Sequence, residues 1–482
     1  MAASRSISSK LSHVHLNGQT LEGGGQLVRI AIGLSALTGR PVSIDHVRGN
    51  RDGKKGLKRS HAAAVKLLAE ISGSEVSGGE VGSQSLSFCP QSTRSKSGPL
   101  LDLSQVSVKS EYDIKLSTAG AIFLVFQALY PYLLHVGSQA ATPFVKVNIT
   151  GGTNATFSPS YDYAAQVIVP NFAKLGLPPL SVILHKRGWT TGPVDLGEVT
   201  FLINPLGSNS NDENQHKQSS EKDRAPEPLS SFPQINLMDH ERGKVTQIDI
   251  TVLAPDQPTL NNNTEGTGST LRQFIEQGTR RLLRRETRKL DPSIFAKSST
   301  PPREDTLSKI SSKDTPVPIK IHTSEATNHR SHVYILLVAH TSSGFRIGHD
   351  ILGNIGGDRL HKPKNKGRQK QQPAHDHRHE SQTEAAFSGA ADLVRRCVEG
   401  FIEEISNESP NANADKKPDS IVRRASLDKH MRDQVVVFEA LGKACHAGHG
   451  NKASDTETLE DERDWTLHTK TAQWVCGQIL NV

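Results

Sequence analysis

The residues with the clearest chemical potential lie near the amino terminus. Thr20-Leu21-Glu22-Gly23-Gly24-Gly25-Gln26-Leu27 sets three glycines directly before an apolar helical repeat. Gly23, Gly24 and Gly25 would leave backbone N–H groups bare, and the positive end of the following helix favours a phosphate there. Glu22 at the mouth would offer a carboxylate to a divalent metal beside that phosphate. No GK[ST] follows, so this is not a P-loop. A glycine-rich turn that merely starts a helix is the alternative. Next comes Val47-Arg48-Gly49-Asn50-Arg51, followed by Lys54, Lys55, Lys58 and Arg59. Two arginines three apart beside glycine suit phosphate oxygens, and they equally suit a solvated basic turn.

Three further groups are weaker. His375, His377 and His379 lie in a tract without periodicity that reads as linker. Cys445, His446 and His449 lack a fourth zinc ligand at suitable spacing. The segment Leu271–Leu290 carries Arg272, Arg280, Arg281, Arg284, Arg285, Arg288 and Lys289. It reads either as an RNA-facing helix or as a solvated basic face.

Periodicity supplies the elements that must hold these groups. Leu27, Ile30, Leu34 and Leu37 recur at spacings of 3, 4 and 3, one face of a helix, with Gly39 and Pro41 as its stop. Val42, Ile44 and His46 alternate as in a strand. A second helix runs through Ala64, Leu67, Leu68 and Ile71 to Gly73, and a short strand follows at Ser85–Phe88. The pattern then recurs: a helix over Ser117–Leu134, a strand over Phe144–Thr150 and a helix over Tyr161–Leu175. Beyond it, Val245–Leu253 and Val333–Ala339 read as strands and Leu271–Leu290 as a helix. Ala385–Ile405 and Met431–Leu441 read as helices, with a last one after His468.

Composition sets the frame. The chain has 482 residues, enough for about two to four domains. Hydrophobic residues are 35% and aromatics 5%, low for a fully packed globule of this size, so a real core must be diluted by polar insertions. Residues 207–230 (GSNSNDENQHKQSSEKDRAPEPLS) cannot bury enough apolar surface to offset their chain entropy. The chain therefore divides into a disordered tail (1–13), the first part of a large α/β domain (14–206), a disordered linker (207–234) and a smaller insert domain (235–356). A second disordered linker (357–384) and the rest of the large domain (385–482) follow. No run of about 18 apolar residues is present, so no transmembrane helix is expected, and the first residues lack an apolar leader region. The net charge of +7 favours phosphate-bearing partners. Four scattered cysteines with no CxxC pair fit a reducing compartment.

The segment EGGGQLVRIAIGLSALTGRPVSIDHVRGNRDGKKGLKRSHAAAVKLL resembles the amino-terminal part of RNA 3′-terminal phosphate cyclases. STAGAIFLVFQALYP resembles the helix of the family's second repeat. VNITGGTNATFSPSYDYAAQVIVPNFAKLG is similar to its GGT-N motif and the helix behind it. LDKHMRDQVVVFEALGKA and WTLHTKTAQWV resemble its ADQ helix and catalytic-histidine segment. The likeness covers about 14–204 and 425–480, and loosely 235–356.

The resemblance implies an α+β fold of repeated units, each two helices on a four-stranded sheet, interrupted by the small domain. It also implies an enzyme that uses ATP and a divalent metal, Mg or Mn. A histidine is adenylylated, AMP passes to an RNA 3′-phosphate, and the 2′-hydroxyl then closes a 2′,3′-cyclic phosphate. Carried over, His468 is the nucleophile and Glu22 the metal ligand. Arg29, Arg48, Arg51 and Gly23–Gly25 surround the nucleotide phosphates, while Gln127 and Asp433 line the AMP pocket. RNA with a 3′-phosphate end is the expected partner. Basic tracts such as Lys362–Lys370 read either as a nuclear-import signal or as linker charge, with the nucleus as the expected compartment and the cytoplasm as the alternative.

The chain departs from the family's pattern in places. Ser60 replaces the glutamine after the basic loop. Arg187–Val199 is longer than the corresponding motif and lacks its triple glycine. Fourteen residues follow His468, an ending that predicts an open sheet edge or an incomplete third repeat. The competing reading is a non-catalytic cyclase-like RNA-binding factor in ribosomal RNA processing. That type lacks the acid and the histidine, whereas this chain keeps Glu22 and His468. Enolpyruvyl transferases share the repeated unit, but none of their motifs is present.

Overall fold

The computed structural model describes residues 12–91, 94–95, 98–207, 231–256, 270–296, 316–353, 355, 375–406, 425–447 and 466–482. Most of the expected disordered stretches lie outside these residues.

Val14 and Leu16, buried on alternate positions of β1 (Val14–Asn17), begin the first unit. It continues through α1 (Gly25–Thr38), β2 (Val42–Asp45), α2 (Arg59–Ser72), β3 (Glu75–Ser77) and β4 (Leu86–Cys89). Both helices stop where the sequence places a glycine: Gly39 (φ 70°) and Gly73 (φ 62°) adopt the left-handed conformation that closes a helix without a Cβ clash. The second unit repeats the plan with β5 (Glu111–Lys115), α3 (Ile122–Val136), β6 (Val145–Gly151), α4 (Tyr161–Tyr163), α5 (Val169–Lys174), β7 (Leu180–Lys186) and β8 (Gly197–Ile203). A π-helical turn at Ala164–Ile168 joins α4 to α5. The expected single helix is re-registered there beside Pro170, which has no N–H to give to a regular ladder.

The two sheets have corresponding orders, β1-β2-β4-β3 and β5-β6-β8-β7. In each, a parallel pair is bridged by one helix (β1/β2 by α1, β5/β6 by α3) and an antiparallel pair completes the sheet. The expected repeat of two helices on four strands is therefore present twice.

A third sheet is built from β9 (Val245–Ala254), β10 (Ile319–Ala326), β11 (Val333–Thr341) and β12 (Arg346–Gly353), with α6 (Leu271–Thr287) and α7 (His375–Ser406) on one face. Its order, β10-β9-β11-β12, differs from the other two. Alternation along its strands divides it between two cores. Val252, Ile335 and Leu337 pack with α6 and α7, while Leu253, Tyr334, Leu336 and Val338 face the core shared by α1, α2, α3, α8 (Lys429–His446) and α9 (Leu467–Leu480). Among the described residues no strand accompanies α8 and α9.

Three boundaries change. Helix α7 begins at His375, inside the segment expected to be linker. It joins the small sheet rather than the large unit, because Ala390, Leu393, Cys397, Val398, Phe401 and Ile405 bury against that sheet's outer face. Residues 231–234 are not linker either: Phe232 is fully buried, with its ring 6.3 Å from that of Phe438. The remaining helices and strands expected from periodicity all form, with ends shifted by a few residues. Strands β1, β3, β5, β7, β8, β10 and β12 were not expected from the sequence.

Candidate active site

Three segments far apart in sequence meet at the amino-terminal end of α1. The first is the glycine loop. Gly24 is the N-cap of α1 and supplies no side-chain hydrogen bond, so the helix opens with bare backbone. The three glycines are sterically required. Gly23 sits at φ 57° against Asn50, a Cβ on Gly24 would fall 2.2 Å from Glu22 Oε1, and one on Gly25 would fall 2.2 Å from His61 Nε2. The second segment is the basic loop. Asn50 ties it to the first by donating through Nδ2 to the carbonyls of Gln19 and Leu21, the latter at 3.1 Å. Leu21, His46 and Arg48 hold φ between 52° and 57°. Non-glycine residues seldom adopt this conformation, and it concentrates at functional loops.

The third segment is the start of α9, which packs along α1. Thr466 caps α9 by accepting from Thr469 N at 2.9 Å. Both threonine hydroxyls donate to Asp433 Oδ1 on α8, at 2.9 Å from Thr466 and 2.5 Å from Thr469. Thr471 accepts from the backbone N–H of Glu22 at 3.1 Å. These contacts set His468 over the glycine loop. Its Nδ1 lies 3.0 Å from Gln26 Oε1 and 3.2 Å from Glu22 Oε2. The bond to Gln26 has hydrogen-bond geometry, whereas Glu22 Oε2 is left buried without a hydrogen bond. Arg51 pairs with the other carboxylate oxygen, Oε1.

The electrostatics favour an anion. Arg29 is half-buried and, among the described residues, has no carboxylate or hydrogen-bond partner. Burial lowers its guanidinium to about 10. His61 lies beneath Gly25, where burial and the neighbouring Arg29, Arg48 and Lys58 push it down to about 3, so it is neutral. Burial also lowers His468 below its ordinary value; Arg51 and Arg29 act the same way and Asp433 opposes them. The region thus holds unneutralised positive charge beside a neutral imidazole.

The expected residues reach this place to different degrees. Glu22, Gly23, Gly24, Gly25, Arg29, Arg51 and His468 converge on it. Arg48 is adjacent, but its Nη1 is occupied by the carbonyls of Lys54 (2.9 Å) and Gly56 (3.3 Å), which fold the basic loop on itself. Asp433 acts through α9 by anchoring its cap. Gln127 reaches from α3 to Gln434, next along α8 from Asp433. Gln26, His61 and Thr471 were not singled out from the sequence. Gln26 closes the Glu22–Gly25 run in the sequence and is the second residue of α1, the single available signal. The lengthened Arg187–Val199 loop docks on the small unit, where buried Trp189 stacks on His332 at 4.8 Å.

Among the described residues no group of three or more His, Cys, Asp and Glu is arranged to hold a metal, and no helix is long and apolar enough to cross a membrane.

The chain is thus a repeated α/β protein, with a unit of two helices on a four-stranded sheet present twice and a histidine and a carboxylate meeting at a glycine-opened helix. The family model described as RNA 3′-terminal phosphate cyclase matches residues 20–482, and the chain belongs to that family. A protein from Koribacter versatilis named RNA 3′-terminal phosphate cyclase is 34% identical over 196 residues, 41% of this chain and 49% of the relative. Proteins of that name from Desulfurococcus amylolyticus (36% over 200 residues; 41% and 50%) and Methanosarcina acetivorans (36% over 193; 40% and 48%) are comparably similar. The chain spans about half the length of the curated relatives it matches.

Proposed function

We propose that this protein converts an RNA 3′-terminal phosphate to a 2′,3′-cyclic phosphate at the expense of ATP, with His468 as the nucleophile. The observation that carries the reading is the seat of the imidazole. Nδ1 lies 3.0 Å from Gln26 Oε1, an acceptor, which favours the tautomer with the proton on Nδ1 and the lone pair on Nε2, and burial shifts the ring toward its neutral form.

The Nε2 lone pair forms a bond to the α-phosphorus of ATP as the bond to pyrophosphate breaks, and pyrophosphate departs with those electrons. An oxygen of the RNA 3′-phosphate next takes the AMP, and the N–P electrons return to Nε2. The neighbouring 2′-oxygen then attacks the activated 3′-phosphorus, losing its proton to solvent, and AMP leaves. Arg29, Arg51 and the open amino terminus of α1 are suited to offset charge on the phosphate oxygens. Asp433, through Thr466 and Thr469, holds the start of α9 and with it the His468 ring. Glu22 Oε2, buried without a hydrogen bond, fits a Mg or Mn ion that would draw its other ligands from phosphate and water. When bound, that ion supplies Lewis-acid neutralisation of the phosphate charge.

The test is incubation of 3′-phosphorylated RNA with ATP and Mg or Mn. The expected product is an RNA end that resists phosphatase and is reopened by mild acid. Tight RNA binding with the 3′-phosphate unchanged would overturn the proposal in favour of a non-catalytic RNA-binding role.

A further inference from the structure

The carboxyl-terminal half of α6 carries a surface that the site above does not use. Gln277, Arg280, Arg281, Arg284, Arg285 and Arg288 line a shallow concavity of about 420 Å³. The amino-terminal half of the helix is charge-balanced: Arg272 pairs with Asp256 at 2.9 Å and with Glu276 at 3.3 Å. Past Gly278 the balance fails. Arg280, Arg281, Arg284 and Arg285 share one carboxylate in this half of the helix, Glu286, which already holds Arg285 and, just past the helix end, Lys289 at 2.7 Å each. Arg281 and Arg284 are exposed and have no partner among the described residues, and Arg280 Nε is buried without an acceptor.

Helix-end electrostatics account for part of this arrangement only. The dipole favours cations in the last turn, which covers Arg284 and Arg285 but not Arg280 and Arg281. Like charges at i, i+4 repel, and Arg280/Arg284, Arg281/Arg285 and Arg284/Arg288 are all so spaced. Such a row is stabilised when a polyanion covers it.

We propose that this face of α6 is a docking surface for the phosphodiester backbone of RNA, at nucleotides away from the reacting end. The inference rests on the RNA-directed reading of the family. Arg280 to Arg288 span about 12 Å at 1.5 Å per residue, room for on the order of three phosphates of one strand at 3.4 Å each. The concavity offers no apolar anchor of the kind a protein partner uses. No large exposed hydrophobic side chain lies on α6, so the helix has nothing to insert into a membrane. Helix α6 also lies on the outer face of the β9–β12 sheet, with the core shared by α1 and α9 on the other face. An RNA must therefore extend beyond the cleft to meet it.

The experiment measures binding of 3′-phosphorylated oligonucleotides, one of a few nucleotides and one several times longer, across a salt series. Arg281→Ala/Arg284→Ala should weaken the long RNA about tenfold and reduce its salt slope by about 1.4, or 0.7 per lost phosphate contact on a single strand. The short oligonucleotide should bind as before, and Arg281→Lys/Arg284→Lys should restore the slope. An unchanged slope for the alanine variant, or equal losses on both oligonucleotides, would overturn the inference. The cyclase proposal fails separately. Wild-type protein that binds long RNA with the steep slope yet forms no cyclic phosphate would retain this surface and remove that activity.

Discussion

In the proposed reaction, the contact between His468 and Gln26 is the one on which the chemistry would turn. A histidine that must attack through Nε2 needs its proton parked on Nδ1, and the 3.0 Å bond to Gln26 Oε1 is the acceptor that holds it there. Gln26→Leu should slow protein–AMP formation about five- to tenfold, the worth of one neutral hydrogen bond of about 1 kcal/mol, while RNA affinity is unchanged. An unaltered rate would show that the tautomer is set elsewhere. His61 makes a stability prediction. Its folded pKa, about 3, lies below its unfolded value, so the unfolded chain takes up a proton first as pH falls. His61 therefore costs no stability above pH 6.5, and stability is lost between 6.5 and 3, by up to about 5 kcal/mol. Melting temperatures should fall less across this window in His61→Gln than in the wild type. Parallel curves would mean that His61 is solvated.

At the scale of elements, α9 is the device that delivers the histidine. Its cap is shared between Thr466 and Asp433, so Asp433, expected in the nucleotide pocket, also anchors the start of α9. Asparagine could still accept from both threonine hydroxyls. Asp433→Asn should therefore keep the fold but remove the charge that raises His468, moving the acid limb of adduct formation to lower pH. A shift to higher pH, or none, would contradict this coupling. The helices were legible because their burial follows the apolar spacing, and α1, α2 and α3 end at glycine. Several strands were not. β5 and β7 bury a single residue each, Ile114 and Leu180, and β3 is three exposed residues paired with β4. Pairing is a tertiary property that local periodicity does not record. The glycine loop and the histidine were readable as motifs, yet Thr471 and Gln26 acquire meaning only once α9 lies on α1.

For the whole molecule, the sequence indicated a repeated α/β body with an insert but assigned α7 to the wrong unit. The apolar stripe of α7 shows that it is buried; which sheet it covers depends on a fold-back that no local pattern specifies. Phe401 is fully buried in the core of the small sheet. Phe401→Ala should cost about 3–5 kcal/mol, with hydrogen-exchange protection lost first in β9–β12 and retained in β1–β8. Loss beginning in β1–β8 would return α7 to the large unit.

The central claim is that His468 carries AMP. The most direct measurement is incubation with α-labelled ATP and metal, followed by peptide mapping of the acid-labile adduct. Label should appear on the Leu467-His468-Thr469 peptide and be absent from His468→Ala, whose binding of long RNA persists because Arg and Lys contacts to phosphate set that affinity. Undiminished labelling of His468→Ala, or label mapped to another residue, would contradict the account.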